Sequence, residues 1–350
     1  MLSKESEIGA LSAIGPVADP PHAKYDRLIA RAKQVAAATT LVVHPCDETS
    51  LRGALDAAAT GIIKPILVGP AGKIAETARR FSLDIGPYEI VDAPHSDAAA
   101  ARAVQLIHEG MGELLMKGSL HTDELMREVA AGKTGLRTAR RISHVFVMDV
   151  PTHADTLFIT DAAINIFPDL DAKRDIIQNA IDLFVQVGLG TPRVAILSAV
   201  ETVTTKIPST IDAAALCKMA DRGQITGGVL DGPLAFDDAT EPDAARIKQI
   251  DSAVAGQADI LLVPDLESGN ILIKQLQSLA GAEAAGVVVG ARVPIILTSR
   301  AANPKTRLAS TAVAALLAQK DREEFSGVTA GFGVLLQSKA WLSSVGSEPR

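Results

Sequence analysis

Short runs of β-branched and aliphatic residues alternate with longer Ala- and Leu-rich stretches along almost the whole chain, and no other feature constrains its fold as tightly. In the first third the runs are Leu41-Val42-Val43, Pro65-Ile66-Leu67-Val68, Tyr88-Glu89-Ile90-Val91 and Leu114-Leu115-Met116. Helical spacing fills the gaps over 48–59 and 96–109, the latter with Ser96 or Asp97 as its expected cap. Strand, helix, strand at this rhythm predicts an α/β protein with a mostly parallel sheet, right-handed crossovers and helices on the sheet faces. Aromatics make up only 3% of the chain, and the apolar mass is largely Ala, Val, Leu and Ile, which suits strands buried on both faces.

The rhythm breaks near residue 142. Two strand-like runs, 142–150 and 156–160, flank Pro151-Thr152-His153-Ala154-Asp155, a pattern that predicts a hairpin. Alternation then resumes with helices expected over 173–187, 212–221, 244–255, 270–280 and 306–319. Strands are expected over 194–197, 228–230, 260–263, 286–289 and 294–297. At roughly 150 residues per domain, 350 residues leave room for two. No internal period of repeat-protein length is present.

Several function classes fall away on composition and motif. With 34 basic and 41 acidic side chains the net charge is −7, a poor balance for a general nucleic-acid binder. The two cysteines, Cys46 and Cys217, stand alone, with no CxxC for a zinc or redox site. There is no HExxH and no GxSxG. Gly132-Lys133-Thr134-Gly135 lacks the first glycine of a phosphate loop, since that position is Arg127, and it reads as a helix-ending turn. Gly188-Leu189-Gly190 lacks the third glycine of a dinucleotide fingerprint and reads as a helix C-cap. The first 21 residues, without a basic segment leading into an apolar run, read as a flexible leader. No uninterrupted apolar stretch reaches membrane-spanning length, so the expectation is a cytoplasmic protein without membrane contact.

Polar residues collect after the strand runs, where open α/β sheets place their ligands. Six strings do so: Lys117-Gly118-Ser119-Leu120-His121-Thr122, Thr160-Asp161-Ala162-Ala163-Ile164-Asn165, Ser198-Ala199-Val200-Glu201, Asp231-Gly232-Pro233-Leu234, Pro264-Asp265-Leu266-Glu267-Ser268-Gly269-Asn270 with Lys274 following, and Thr298-Ser299-Arg300. Any one of these fits a structural loop or helix cap, but six together predict that a site lies among them.

On these same strings, over roughly residues 100–318, the chain resembles the phosphate acetyl/butyryl transferases, which exchange an acyl group between phosphate and coenzyme A. The Thr-Asp-Ala-Ala-Ile-Asn and Asp-Gly-Pro-Leu-Ala strings look nearer the butyryl branch. The resemblance implies two three-layer αβα domains like those of isocitrate and isopropylmalate dehydrogenases, with the active cleft between them. The order of elements divides the chain into a first domain of 22–150, a second of 151–292 and a tail of 338–350, and the resemblance implies that 293–337 returns to the first domain. It also implies a homodimer, small-molecule substrates (acyl-CoA, acyl phosphate and phosphate), no metal and no resident cofactor, with coenzyme A as a substrate. Ser299 and Arg300 inherit the catalytic contact with the acyl phosphate, for which the planar guanidinium fork is suited. Arg127 matches a second phosphate contact across a one-residue gap. Candidate substrate-binding residues are Lys117, His121, Thr122, Asp161, Asn165, Glu201, Asp231, Asn270 and Lys274. The expected chemistry is direct attack of the thiolate on the acyl carbonyl, because Cys46 and Cys217 lie outside every motif.

Two other classes remain: a non-catalytic acetyl-CoA-sensing module and a metal-dependent dehydrogenase of the same fold group. One departure from the family is specific. Acetyl-type relatives carry an aspartate seven residues after the serine, proposed to deprotonate the thiol; that position here is Thr306, and the loop from Ser299 to Thr306 has no carboxylate. A thiol of pKa about 8.5 without a base gives turnover that rises with pH through the thiol range.

Overall fold

The computed structural model describes residues 22–298 and 302–323. In the amino-terminal part the elements are α1 (Ala23–Ala32), β1 (Ala38–Val43), α2 (Glu48–Ala59), β2 (Ile63–Gly69), α3 (Ala71–Arg80), β3 (Ile90–Asp92), α4 (Ser96–His108), β4 (Leu114–Lys117) and α5 (Thr122–Val129). The centre of the chain supplies β5 (Ser143–Asp149), β6 (Leu157–Thr160), α6 (Leu170–Gln186), β7 (Arg193–Leu197), α7 (Pro208–Asp221) and β8 (Val229–Leu234). Then come α8 (Phe236–Thr240), α9 (Pro242–Ile247), β9 (Ile260–Leu262), α10 (Leu266–Leu279), β10 (Glu283–Val289), β11 (Ile295–Ile296) and a helix α11 over 304–323.

Among the described residues, all eleven strands join one sheet in the order β3-β2-β1-β4-β11-β10-β5-β6-β9-β7-β8. The strands from β3 to β11 are mutually parallel, as are those from β6 to β8. Between these blocks the sheet reverses at each step: β10 is antiparallel to β11 and β5, and β5 to β6. The break in rhythm near residue 142 is this reversal, and the expected hairpin forms with Val145 opposite Thr160. Three reversals leave the two parallel blocks running in opposite directions, so their carboxyl-terminal loops open on opposite edges of the sheet.

Alternation along the strands sorts the core into layers. Val145 and Val147 of β5 and Ala285 and Val287 of β10 enter one cluster that runs along the whole sheet under α1, α2, α3, α6, α7 and α11. The opposite face holds two separate clusters. One lies under α4 and α5, with Leu41, Leu115 and Ile295; the other lies against α8 and α10, with Ile159, Leu261 and Met148. Between them, over β5 and β10, a cleft opens.

Local physics moves several expected boundaries. The cap of α4 is His95, whose Nδ1 accepts from the Ala98 amide at 3.3 Å, and neither Ser96 nor Asp97. The helix expected over 244–255 is replaced by α8 and α9. Pro242 starts α9 early, Gln249 adopts φ 55°, and the Ser252 hydroxyl then takes the Val254 and Ala255 amides in a turn. Asp231-Gly232-Pro233-Leu234 lies inside β8 rather than after it.

Candidate active site

The floor of the cleft is built by the even-numbered residues of the two central strands. Phe146 is paired with Gly286, and His144 stacks on Phe146 with ring centroids 4.3 Å apart. A methyl group on Gly286 would stand 2.6 Å from His144 Nε2, so the glycine makes room for the imidazole. Burial holds His144 neutral, lowering its pKa to about 4 against the opposing pull of Asp161. Its Nδ1 has no hydrogen-bond partner among the described residues.

Above this floor the cleft encloses about 640 Å³, within the usual range for a small-molecule site. Lys117 at the end of β4, Thr122 at the start of α5, and Thr298 after β11 line one wall. Lys274, Gln277 and Ser278 of α10 line the other. Ala302, Asn303 and Thr306 close one end, next to Glu283 at the start of β10. A smaller pocket at the amino end of α2 adjoins this wall and shares Lys117 and Thr298 with the cleft.

Of the residues singled out in the sequence, the structure brings Lys117, Thr122 and Lys274 to this cleft. Ser299 and Arg300 fall outside the described residues. The rest lie elsewhere. Arg127 is exposed and pairs with Asp97 on α4 at 3.3 Å. His121, also exposed, is the N-cap residue of α5. Asn270 is exposed on the second turn of α10. Glu201 accepts from Lys248 at 3.1 Å, and Asp231 takes the Gly232 amide at 2.8 Å.

Asp161 and Asn165 are buried and occupied. The Asp161 carboxylate accepts from the amides of Ala163, Ile164 and Asn165 and, at 2.7 Å, from the Asn165 side chain. Among the described residues, then, only some members of the six polar strings reach the cleft. Because the parallel blocks oppose each other, the strings beginning at Lys117 and Thr298 follow strands of one block and those beginning at Thr160, Ser198 and Pro264 follow strands of the other, while Asp231–Leu234 lies within β8. Ala163 alone of these last four strings' loop residues reaches the cleft; Lys274 does so from the body of α10.

Comparison with known proteins shows the family of the chain. The model of the family described as phosphate acetyl/butaryl transferase matches residues 95–315. The chain belongs to that family. It is 73% identical over 299 residues to a phosphate acetyltransferase of Rhizobium meliloti, covering 85% of this chain and 95% of that one. To a phosphate butyryltransferase of Clostridium acetobutylicum it is 40% identical over 294 residues, covering 84% and 98%. Its structure resembles that of a branched-chain phosphotransacylase from Enterococcus faecalis with a TM-score of 0.70, at 27% identity and over 81% of this chain and 98% of that one. The family match begins at the amino end of α4 and ends inside α11, so it contains every residue of the cleft.

Sequence reasoning missed the cleft floor and Glu283. His144 and Phe146 lay in a run read as a plain strand. The one signal for Glu283 was a charged residue opening the otherwise small and aliphatic Ala284-Ala285-Gly286-Val287-Val288-Val289.

Proposed function

We propose that the protein catalyses reversible transfer of an acyl group, acetyl or butyryl, between coenzyme A and inorganic phosphate. The observation that carries this reading is its 73% identity to a phosphate acetyltransferase over nearly the full length of that relative. The butyryltransferase relative at 40% identity keeps the longer acyl group in play, and one methylene is worth only about 1–3 kcal/mol of discrimination.

In this reading Lys117 and Lys274 set positive charge on opposite walls of the cleft for the phosphate-bearing substrates. Arg300 grips the acyl phosphate through its guanidinium fork, and Ser299 donates to the developing oxyanion or the leaving phosphate. The thiolate attacks the acyl carbonyl directly in a ternary complex, without an acyl-enzyme. In support, burial pushes the Cys46 thiol up to about 11 and the Cys217 thiol up to about 12, leaving neither as a nucleophile at neutral pH. The enzyme works as a cytoplasmic homodimer of two-domain subunits with no resident cofactor, a reading supported by the family resemblance.

The test is release of free thiol from acetyl-, propionyl- and butyryl-CoA in the presence of phosphate or arsenate. Turnover that requires the anion is expected. Tight binding of acetyl-CoA with no anion-dependent thiol release would replace the transferase by a sensing module.

A further inference from the structure

The loop that follows β11 has no carboxylate of its own, yet the cleft does contain one. Glu283 is the only carboxylate lining the cleft among the described residues. Its side chain is 16% exposed and is held at both oxygens: Asn303 Nδ2 donates to Oε1 at 2.8 Å, and Thr306 Oγ1 donates to Oε2 at 2.8 Å. Those donors come from the amino end of α11, just after Ser299-Arg300 in the sequence. The Asn303 side chain also caps α11 through the Thr306 amide, and the Gly286 amide donates to Ser310, whose hydroxyl donates to the Thr306 carbonyl. The carboxylate is thus fixed between two rigid elements, as a proton acceptor needs to be.

A lone anionic side chain in a cleft for anionic substrates works against binding, so its presence calls for a chemical role. The other acidic groups nearby are spent. Asp161 holds its loop amides, and Asp149, opposite Glu283 on β5, is buried on Lys24 at 3.0 Å. Lys305 turns away to Asp26. His22, 3.9 Å away, and the buried Tyr25 hydroxyl beneath β10 lie against the start of β10, while Lys117, Lys274 and His144 line the same cleft farther along it.

We propose that Glu283 is the general base that takes the proton from the coenzyme A thiol, supplied from β10 where the loop itself offers only Thr306. The inference rests on the acyltransfer reading above. In the direction of thioester synthesis the S–H bond breaks and its proton passes to a Glu283 oxygen. The carbon–sulfur bond then forms, the bond from the acyl carbon to the phosphate oxygen breaks, and the proton passes to the departing phosphate. Coenzyme A and an acyl phosphate dianion become acyl-CoA and hydrogen phosphate, and Glu283 ends as it began.

The test is the pH profile of acyl phosphate plus coenzyme A turnover in the wild type, Glu283→Gln and Glu283→Asp. With a fixed base taking the thiol proton, the wild-type rate is expected to be nearly flat from about pH 6.5 to 8.5. Glu283→Gln should lose on the order of 10²-fold in kcat at pH 7, with the loss closing as pH approaches the thiol range, because external thiolate then replaces the base. Glu283→Asp should recover part of the rate without the steep slope. The proposal is overturned by a wild-type rate that climbs tenfold per pH unit through the thiol range, a measurement that needs no variant to fold. It is equally overturned by a Glu283→Gln profile parallel to that of the wild type, since a purely structural role would lower the rate alike at every pH. A wild type without anion-dependent thiol release would remove the acyltransfer reading itself, and this proposal with it.

Discussion

At the scale of single residues, burial decides which reactive groups are available. Cys46 and Cys217 are both raised by desolvation, so replacing both with Ala is expected to leave kcat within a few-fold of wild type in the thiol-release assay. Near-total loss would reinstate a covalent acyl-enzyme. His144 gives a prediction about stability. Its pKa is about 4 in the folded protein and about 6.5 when unfolded, so between those values the unfolded chain binds the extra proton. The stabilisation from keeping this histidine neutral is therefore complete above pH 6.5 and is lost as pH falls towards 4, by at most about 3 kcal/mol. The urea midpoint of the wild type should fall over this window, and His144→Leu should fall distinctly less. His44, lowered chiefly by burial and then by Lys73, adds to the wild-type slope in the same direction and remains in the variant as a control. Equal slopes in the two proteins would mean that His144 titrates normally.

At the scale of elements, much of the shared sequence pattern serves packing as much as chemistry. The Thr160 hydroxyl donates to the His144 carbonyl, and Asp161 gathers the amides of the loop behind it. Gly269, on the first turn of α10, lies against that loop. A methyl group there would stand 2.7 Å from both the Ala162 Cβ and the Val263 Cγ2. Gly269→Ala is therefore expected to cost about 1–3 kcal/mol by overpacking, despite the better helix propensity of alanine. A denaturation midpoint at or above wild type would show that α10 can shift without cost. This is also why the polar strings were a mixed guide to the site. A residue type suited to binding phosphate is equally suited to capping a loop, and only tertiary structure separates Lys117, which faces the cleft, from Asp161, which does not. Elements with a clear period were legible, α2 and the β5–β6 hairpin among them. Helix 244–255 was not, because Ser252 spends its hydroxyl on backbone amides that a helix would otherwise use.

For the molecule as a whole, the alternation of strand and helix was enough to read a mostly parallel α/β sheet with two-sided helical cover. It could not show that β10 returns to lie beside β5. That contact joins residues more than a hundred positions apart and rests on no local signal, only on the closure of the sheet. Glu283 was invisible for the same reason, since its partners Asn303 and Thr306 meet it only once β10 and α11 are in place. The arrangement makes a prediction about independence of parts. A fragment of residues 151–292, the second domain proposed from sequence, contains β6, β7, β8, β9 and β10 but not β5, the strand that stands between β6 and β10. Without β5, both β6 and β10 present unpaired inner edges. The core under α6 and α7 also loses Val145, Val147 and the packing of α1 and α11. Expressed alone, this fragment is expected to show no cooperative urea transition by circular dichroism. A fragment extended to begin at residue 142 restores β5 between its neighbours and should recover at least part of one. A fully cooperative transition in the shorter fragment would mean that β6 and β10 can close on each other, and that β5 is dispensable to that half of the sheet.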